Sequence, residues 1–226
     1  MTYNYNEIEK TLLRHINFKA MGDMTCNQEN YIDFMDYDEI DLHWHISSGA
    51  TKCVFIPKDI EKMYVIKVPF NADVDWNYDE DDFFRFYNAV YPLSHSRGWD
   101  YCKSEVEYFE LAAQAGLDDY FAETMSFGYY DDYPIYIQER CEYAGPRPDQ
   151  KFFDMVKECM DRPGYYYTLT REFCANLLQQ YSVRQVEELL DFIVNEGIGD
   201  LSCHNCGFSV MYENRPVIVD YSGYWE

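Results

Sequence analysis

Apolar positions along this chain change their period as the chain proceeds. Near the start, Ile8, Leu12, Leu13, Ile16 and Phe18 recur at roughly helical spacing, which predicts an amphipathic helix over residues 1–20. Residues 21–41 are acidic and aromatic with few turn signals, so they read as an irregular cover or an extra strand. From Asp41 the period shortens to two, with Leu42, Trp44 and Ile46 alternating with polar residues, which predicts a strand. The small-residue turn Ser47-Ser48-Gly49-Ala50-Thr51 leads into a second strand over 52–56. Pro57-Lys58-Asp59 then turns the chain into a third over 63–68. Three short strands in sequence predict an antiparallel meander.

Residues 71–98 are long for a connection and combine an acidic block with an aromatic patch, so a short helix or an insertion is expected there. Helical spacing returns over 100–115, where Val106, Phe109, Ala112 and Ala113 form the apolar face and Gly116 is the stop. Strands are expected over 121–128 and 133–140, joined at Asp131-Asp132. Gly145-Pro146-Arg147-Pro148 follows as the clearest boundary. Helical segments come next, one over 149–160 and one or two over 170–197, the first of these with Thr170 as a plausible N-cap. A short hairpin over 208–219 closes the pattern. The order is a strand-rich part with one inserted helix, a linker, and a helical part with a loop-rich edge: an α+β chain.

Composition narrows the function classes. Apolar residues make up 47% of the 226 and aromatics 19%, too many for a disordered chain. A chain this long buries roughly 70% of its unfolded surface. Its 18 Lys and Arg face 41 Asp and Glu, a net charge of −23. Such a surface repels nucleic-acid phosphates and anionic membranes, whose contacts rest on Lys and Arg. It leaves a basic protein partner as the charge-matched candidate. The eight Cys are scattered, and neither a signal peptide nor a long apolar run is visible, so a cytoplasmic protein with reduced thiols is expected. Cys203-x-x-Cys206 with His204 between them is a weak zinc signal, because a structural site needs four ligands.

Chemistry gathers near the end of the chain. Gly199-Asp200-Leu201 is followed by Asn205, and the apolar run Val217-Ile218-Val219 ends in Asp220-Tyr221-Ser222-Gly223. Three oxygen-bearing side chains on two neighbouring loops suit Mg²⁺, which takes one or two carboxylates and completes its shell with water and substrate phosphates. Asp200 could orient or deprotonate a hydroxyl while Asn205 and Asp220 hold the metal. The plainer reading is a turn-forming Asp. Upstream, Lys67 sits in an apolar strand, where a buried charge needs a partner. Glu105 lies at the start of the inward helix face and Glu107 is the second candidate partner. Ser48 and Gly49 sit in a turn whose N–H groups could cradle phosphates, although a single Gly more often makes only a hairpin.

In this order the parts resemble the protein-kinase-like fold, which includes aminoglycoside and choline phosphotransferases. The resemblance spans roughly residues 41–226. It implies two lobes: an antiparallel β-sheet N-lobe carrying one helix over 41–144, and a reduced, mostly helical C-lobe over 145–226. Residues 1–40 are then an N-terminal extension. It also implies that ATP and Mg²⁺ bind between the lobes. Lys67 would grip the α/β-phosphates, Glu105 would orient Lys67, Asp200 would face the acceptor, and Asn205 and Asp220 would hold Mg²⁺. Gln138-Glu139-Arg140-Cys141 falls at the hinge, whose backbone would meet the adenine edge. The Gly-Asp-Leu loop, without an Arg before Asp200, is closer to the small-molecule phosphotransferases. Ile198 replaces the usual His, and the chain ends at Glu226, so the expectation is that the protein-substrate platform is missing. The activity implied is γ-phosphate transfer to a hydroxyl. The alternative is a pseudokinase acting as an acidic protein-binding module.

Overall fold

The computed structural model describes residues 3–22, 34–48, 52–69, 101–142, 147–160, 171–199, 201, 203–212 and 215–221. The chain is mixed α+β, with an antiparallel sheet of five strands, a second sheet of three, and several helices. Contacts divide it into two compact units: Met1–Lys103 with Met125–Gln138, and Ser104–Thr124 with Glu139–Glu226.

The first unit is built on the larger sheet. Its strands are β1 (Trp44–Ser48), β2 (Lys52–Pro57), β3 (Tyr64–Pro69), β4 (Thr124–Tyr130) and β5 (Tyr133–Glu139), in spatial order β1-β2-β3-β5-β4. The β4–β5 hairpin turns at Asp131 and Asp132, with φ of 50° and 66°; paired left-handed residues match the twist of a two-residue hairpin. Alternation then sorts the side chains by face. Cys53, Phe55, Tyr64, Ile66, Val68, Ile135 and Ile137 share one hydrophobic core. Lys52, Val54, Val65, Lys67, Tyr136 and Gln138 alternate with them and occupy the other face.

The N-terminal segment completes that core rather than extending from it. Ile8, Leu12, Leu13, Phe18, Met21, Phe34 and Ile40 all pack into it. The single helix expected over 1–20 is instead broken. Helix α1 (Tyr5–Thr11) is capped by Asn4, which accepts from Glu7 N at 3.3 Å. A 3₁₀ turn follows at Leu13–His15, and α2 (Phe18–Gly22) restarts beyond Asn17, whose Oδ1 accepts from Ala20 N at 3.0 Å. Between them Ile16 is extended and bridges Met35. The break lets successive apolar side chains meet a broad sheet face, which one straight helix could not cover. Leu42, expected to open the first strand, is 65% exposed and follows α3 (Tyr37–Asp41).

The second unit holds most of α4 (Tyr101–Ala115), then α5 (Gln150–Met160), α6 (Arg171–Gln180) and α7 (Val183–Asn195). Helix α4 ends at Gly116, whose φ of +71° is the left-handed stop that glycine supplies without strain. Its buried positions include Cys102, Glu105 and Ala112, whereas Ala113, expected on the inner face, is exposed. Ser182 caps α7 through a reciprocal capping box with Gln185. Phe121, Phe173, Leu177, Leu189, Leu190, Ile193, Ile198, Leu201 and Tyr221 share this unit's core. The smaller sheet runs β6 (Cys141–Glu142), β7 (Cys206–Ser209), β8 (Pro216–Ile218), antiparallel throughout. The acidic stretch 71–98, Thr170 and the Gly145-Pro146 turn lie outside the described residues.

Candidate functional site

Lys67 lies in the first unit at the middle of β3, opposite Val54 of β2, and is 3% exposed. It faces away from the core side of the sheet, so its ammonium group is not in the hydrocarbon cluster that buries Ile66 and Val68. Strand β5 is the direct neighbour of β3 and brings Tyr136 and Gln138 onto the same face. Ser48 closes β1; its side chain, Gly49, Ala50 and Thr51 lie outside the described residues. Lys52, which begins β2, carries no sequence signal of its own and is 4% exposed on the face that carries Lys67. Alternation could have matched the two lysines, but only once the register was known.

The second unit holds the remaining candidates. Of the three glutamates on α4, Glu105 is fully buried while Glu107 and Glu110 are exposed, so burial separates the two partners left open by spacing. Asp200 lies outside the described residues. Its neighbours Ile198 and Leu201 are 3% and 2% exposed and belong to the core, so the chain is anchored on both sides of it.

Asn205 and Asp220 are brought together by the β7–β8 ladder. Cys206 stands opposite Ile218, and Val219 N donates to Asn205 O at 2.8 Å, so Asn205 and Asp220 leave the same end of the two strands. Asp220 has a φ of 56°, a left-handed conformation that Asp tolerates at a modest cost and that turns the chain sharply after Val219. The turn is fixed from beneath by Tyr221, which is fully buried. Its Oη donates to the Ala122 carbonyl at 2.7 Å and lies 2.8 Å from Thr124 Oγ1. Burial pushes the Tyr221 phenol well above its ordinary range, and the carboxylate of Glu105 pushes it further. Glu105 is therefore an electrostatic neighbour of the loop that carries Asp220.

Glu139 and Cys141 play different parts. The Glu139 side chain is 1% exposed and accepts from Arg215 Nη2 at 2.9 and 2.6 Å, from Glu123 N at 3.2 Å, and from Ser209 Oγ. Arg215 also lies over the Tyr212 ring, 4.4 Å from its centroid, and its buried Nε has no hydrogen-bond partner among the described residues. The Glu139 side chain thus locks the end of β5 to the β7–β8 connection. Its own N–H donates to Glu123 O at 2.8 Å, and its carbonyl accepts from the Cys141 thiol at 3.5 Å. Cys141 stands opposite Ser209, while Val210 N donates to Arg140 O at 3.0 Å. Antiparallel ladders alternate hydrogen-bonded and non-bonded pairs, so the Cys141 N–H and C=O point away from β7, on the edge strand of the sheet. Cys141 also packs against Ala122, Val217 and Val219, a small apolar patch beside that edge. The lock through Arg215 and Ser209 carried no recognisable sequence signal, because its members are distant along the chain.

Among the described residues, no group of three His, Cys, Asp or Glu side chains is placed to hold a metal ion. Cys53, Cys102, Cys141, Cys174 and Cys206 are free thiols, and no helix among the described residues is long and apolar enough to cross a membrane. A hollow of about 380 Å³ in the first unit is lined by Glu7, Trp44, Lys58, Lys62 and Tyr64, among others, and by none of the candidate residues. No protein-family model, curated protein or solved structure matches this chain.

Proposed function

We propose that this chain is a kinase-like protein that binds ATP with Mg²⁺ and transfers the γ-phosphate to a hydroxyl acceptor. The observation that carries the reading is the convergence of Asn205 and Asp220 at one end of the β7–β8 ladder, with Asp220 held left-handed by the buried residue after it. An amide oxygen and a carboxylate are the hard donors that Mg²⁺ prefers, and two protein donors suffice where phosphates and water complete the shell. The donor types fit the metal. When bound, Mg²⁺ would neutralise charge on the phosphates.

The remaining roles follow from the resemblance and from placement. Lys67 grips the phosphates from a sheet face that is buried yet polar. The resemblance gives the orienting role to Glu105, the one fully buried glutamate of α4. The outward backbone edge of Cys141, with the Ala122, Val217 and Val219 patch beside it, is suited to a planar base. Ser48 and Gly49 belong to the phosphate turn. Glu139 contributes through its carbonyl only, because its side chain is committed to Arg215. Asp200 positions or deprotonates the acceptor.

The test is Mg²⁺-dependent ADP release by the purified chain. A positioned base is typically worth ~10²–10⁴-fold, so Asp200→Ala loses most of the rate, and Lys67→Ala does likewise. Turnover equal to wild type in both variants sinks the enzyme reading. The net charge of −23 favours a second reading, an acidic module on the same scaffold. Capture of a basic protein that disappears at high salt yet is indifferent to both substitutions supports it.

A further inference from the structure

The hollow of about 380 Å³ in the first unit is walled by three stretches of chain: helix α1, residues 42–44 leading into β1, and the β2–β3 connection over 57–64. Hydrogen bonds tie these stretches together. Trp44 Nε1 donates to Thr11 Oγ1 at 3.2 Å, and Thr11 Oγ1 donates to Glu7 O at 2.8 Å. Lys58 N donates to His43 O at 2.8 Å, and Lys58 Nζ donates to Asp41 Oδ1 at 3.1 Å. The wall is therefore set by packed elements. Leu42, Trp44 and Pro57 supply its apolar part.

Charge sets this hollow apart from the rest of the chain. Overall, 41 acidic residues face 18 basic ones. In the lining, Glu7 and Asp59 are matched by Lys58 and Lys62, with histidine counted neutral. Burial, with Glu7 and Asp59 adding to it, pushes the Tyr64 phenol up to about 12, so both carboxylates are electrostatic neighbours of that hydroxyl. Lys62 Nζ lies 3.3 Å from Glu7 Oε2, and the two side chains remain 31% and 44% exposed. A pair this open contributes little by itself, and both of its ends still meet solvent. A ligand that carries both charges lies antiparallel to the pair and strengthens both ends without parting them. A ligand of one sign meets repulsion from one member of each sign-matched set. An α-amino acid carries its ammonium and carboxylate groups on one carbon atom, which suits two partners this close. The apolar part of the wall favours an apolar side chain. Small-molecule sites run from about 300 to 1,000 Å³, so this one is at the small end of that range.

We propose that this hollow binds a free α-amino acid with an apolar side chain, held at its ammonium group by Glu7 and at its carboxylate by Lys62. The proposal goes beyond nucleotide binding and does not rest on it, because none of the nucleotide-site candidates lines the hollow.

The experiment is an NMR titration of the full, isotope-labelled chain with L-leucine, L-phenylalanine, N-acetyl-L-leucine and L-leucinamide, carried into the millimolar range. Leucine or phenylalanine is expected to shift resonances saturably. Each blocked leucine lacks one charge-assisted contact and binds about 10- to 100-fold more weakly. Glu7→Gln and Lys62→Met, each verified as folded by circular dichroism, weaken leucine by a similar factor. Should either variant not fold, the blocked leucines decide on the wild-type chain. N-acetyl-leucine that binds as leucine does, or leucine affinity unchanged in the folded variants, overturns the proposal. Binding of leucinamide alone overturns it in favour of a cationic ligand. A wild-type chain that responds to neither free amino acid overturns it as well. ATP binding is read in a separate titration, so a failure of one reading leaves the other standing.

Discussion

Single residues carry much of the second unit's definition. The Glu139–Arg215 pair is buried, bidentate and reinforced by Ser209 and the Glu123 N–H. Breaking a buried pair from one side leaves a stranded charge, which typically costs about 3–5 kcal/mol. Urea unfolding should therefore show Arg215→Met destabilised by that order, with the double variant Glu139→Gln/Arg215→Met recovering much of the loss. Equal costs for the single and the double would mean that the pair does not act as a unit. The buried phenols make a second prediction. Burial raises Tyr221 well above its usual value, raises Tyr120 as well, and pushes Tyr64 up to about 12; burial also pushes the Cys53 thiol up to about 12. A raised folded value means that the stabilisation is whole below the unfolded value and is lost as pH climbs toward the folded one. Stability should thus hold to about pH 9 and then fall, more steeply above about pH 10, by about 1 kcal/mol per pH unit for each such group. In denaturation series between pH 8 and 11, Tyr221→Phe should lose about one proton's worth of that slope. An unchanged slope would show that Tyr221 does not contribute to the alkaline transition.

At the scale of elements, local signals survived where one element met one constraint. The strands of the meander, the helix ending at Gly116 and the hairpin at Asp131-Asp132 were legible because period-two alternation and left-handed turn residues act locally. The N-terminal segment was not. Its apolar spacing fitted a single helix, yet covering the sheet face favoured three short pieces, and tertiary packing overrode periodicity. Helix α7 carries a further local signal in Ser182 and Gln185, which close a capping box at 3.4 Å and 3.0 Å. Ser182→Ala should cost about 1 kcal/mol in thermal or urea unfolding. No measurable loss would show that the cap is not limiting. For the candidate site, Asn205 and Asp220 were legible as a pair because one hairpin joins them. Lys52 was not, because its relation to Lys67 depends on strand register, which spacing alone does not fix.

At the scale of the whole molecule, composition indicated a charged exterior around apolar cores, and the two cores account for where the apolar residues went. Among the described residues, Ile8, Leu12, Leu13, Phe18, Met21, Phe34 and Ile40 supply much of the first core. What composition could not show is whether a chain with charge −23 holds a polyanion. That claim is met most directly by thermal unfolding of the full chain titrated with ATP, with and without Mg²⁺. At 100 times its Kd a ligand bound only by the folded state adds about 2.7 kcal/mol. For a chain of this size that raises the midpoint by roughly 5–11 °C. The account predicts such a rise with ATP and Mg²⁺ together, a smaller one without Mg²⁺, and loss of the Mg²⁺ increment in Asp220→Asn. A midpoint indifferent to ATP at every concentration, with or without Mg²⁺, contradicts it.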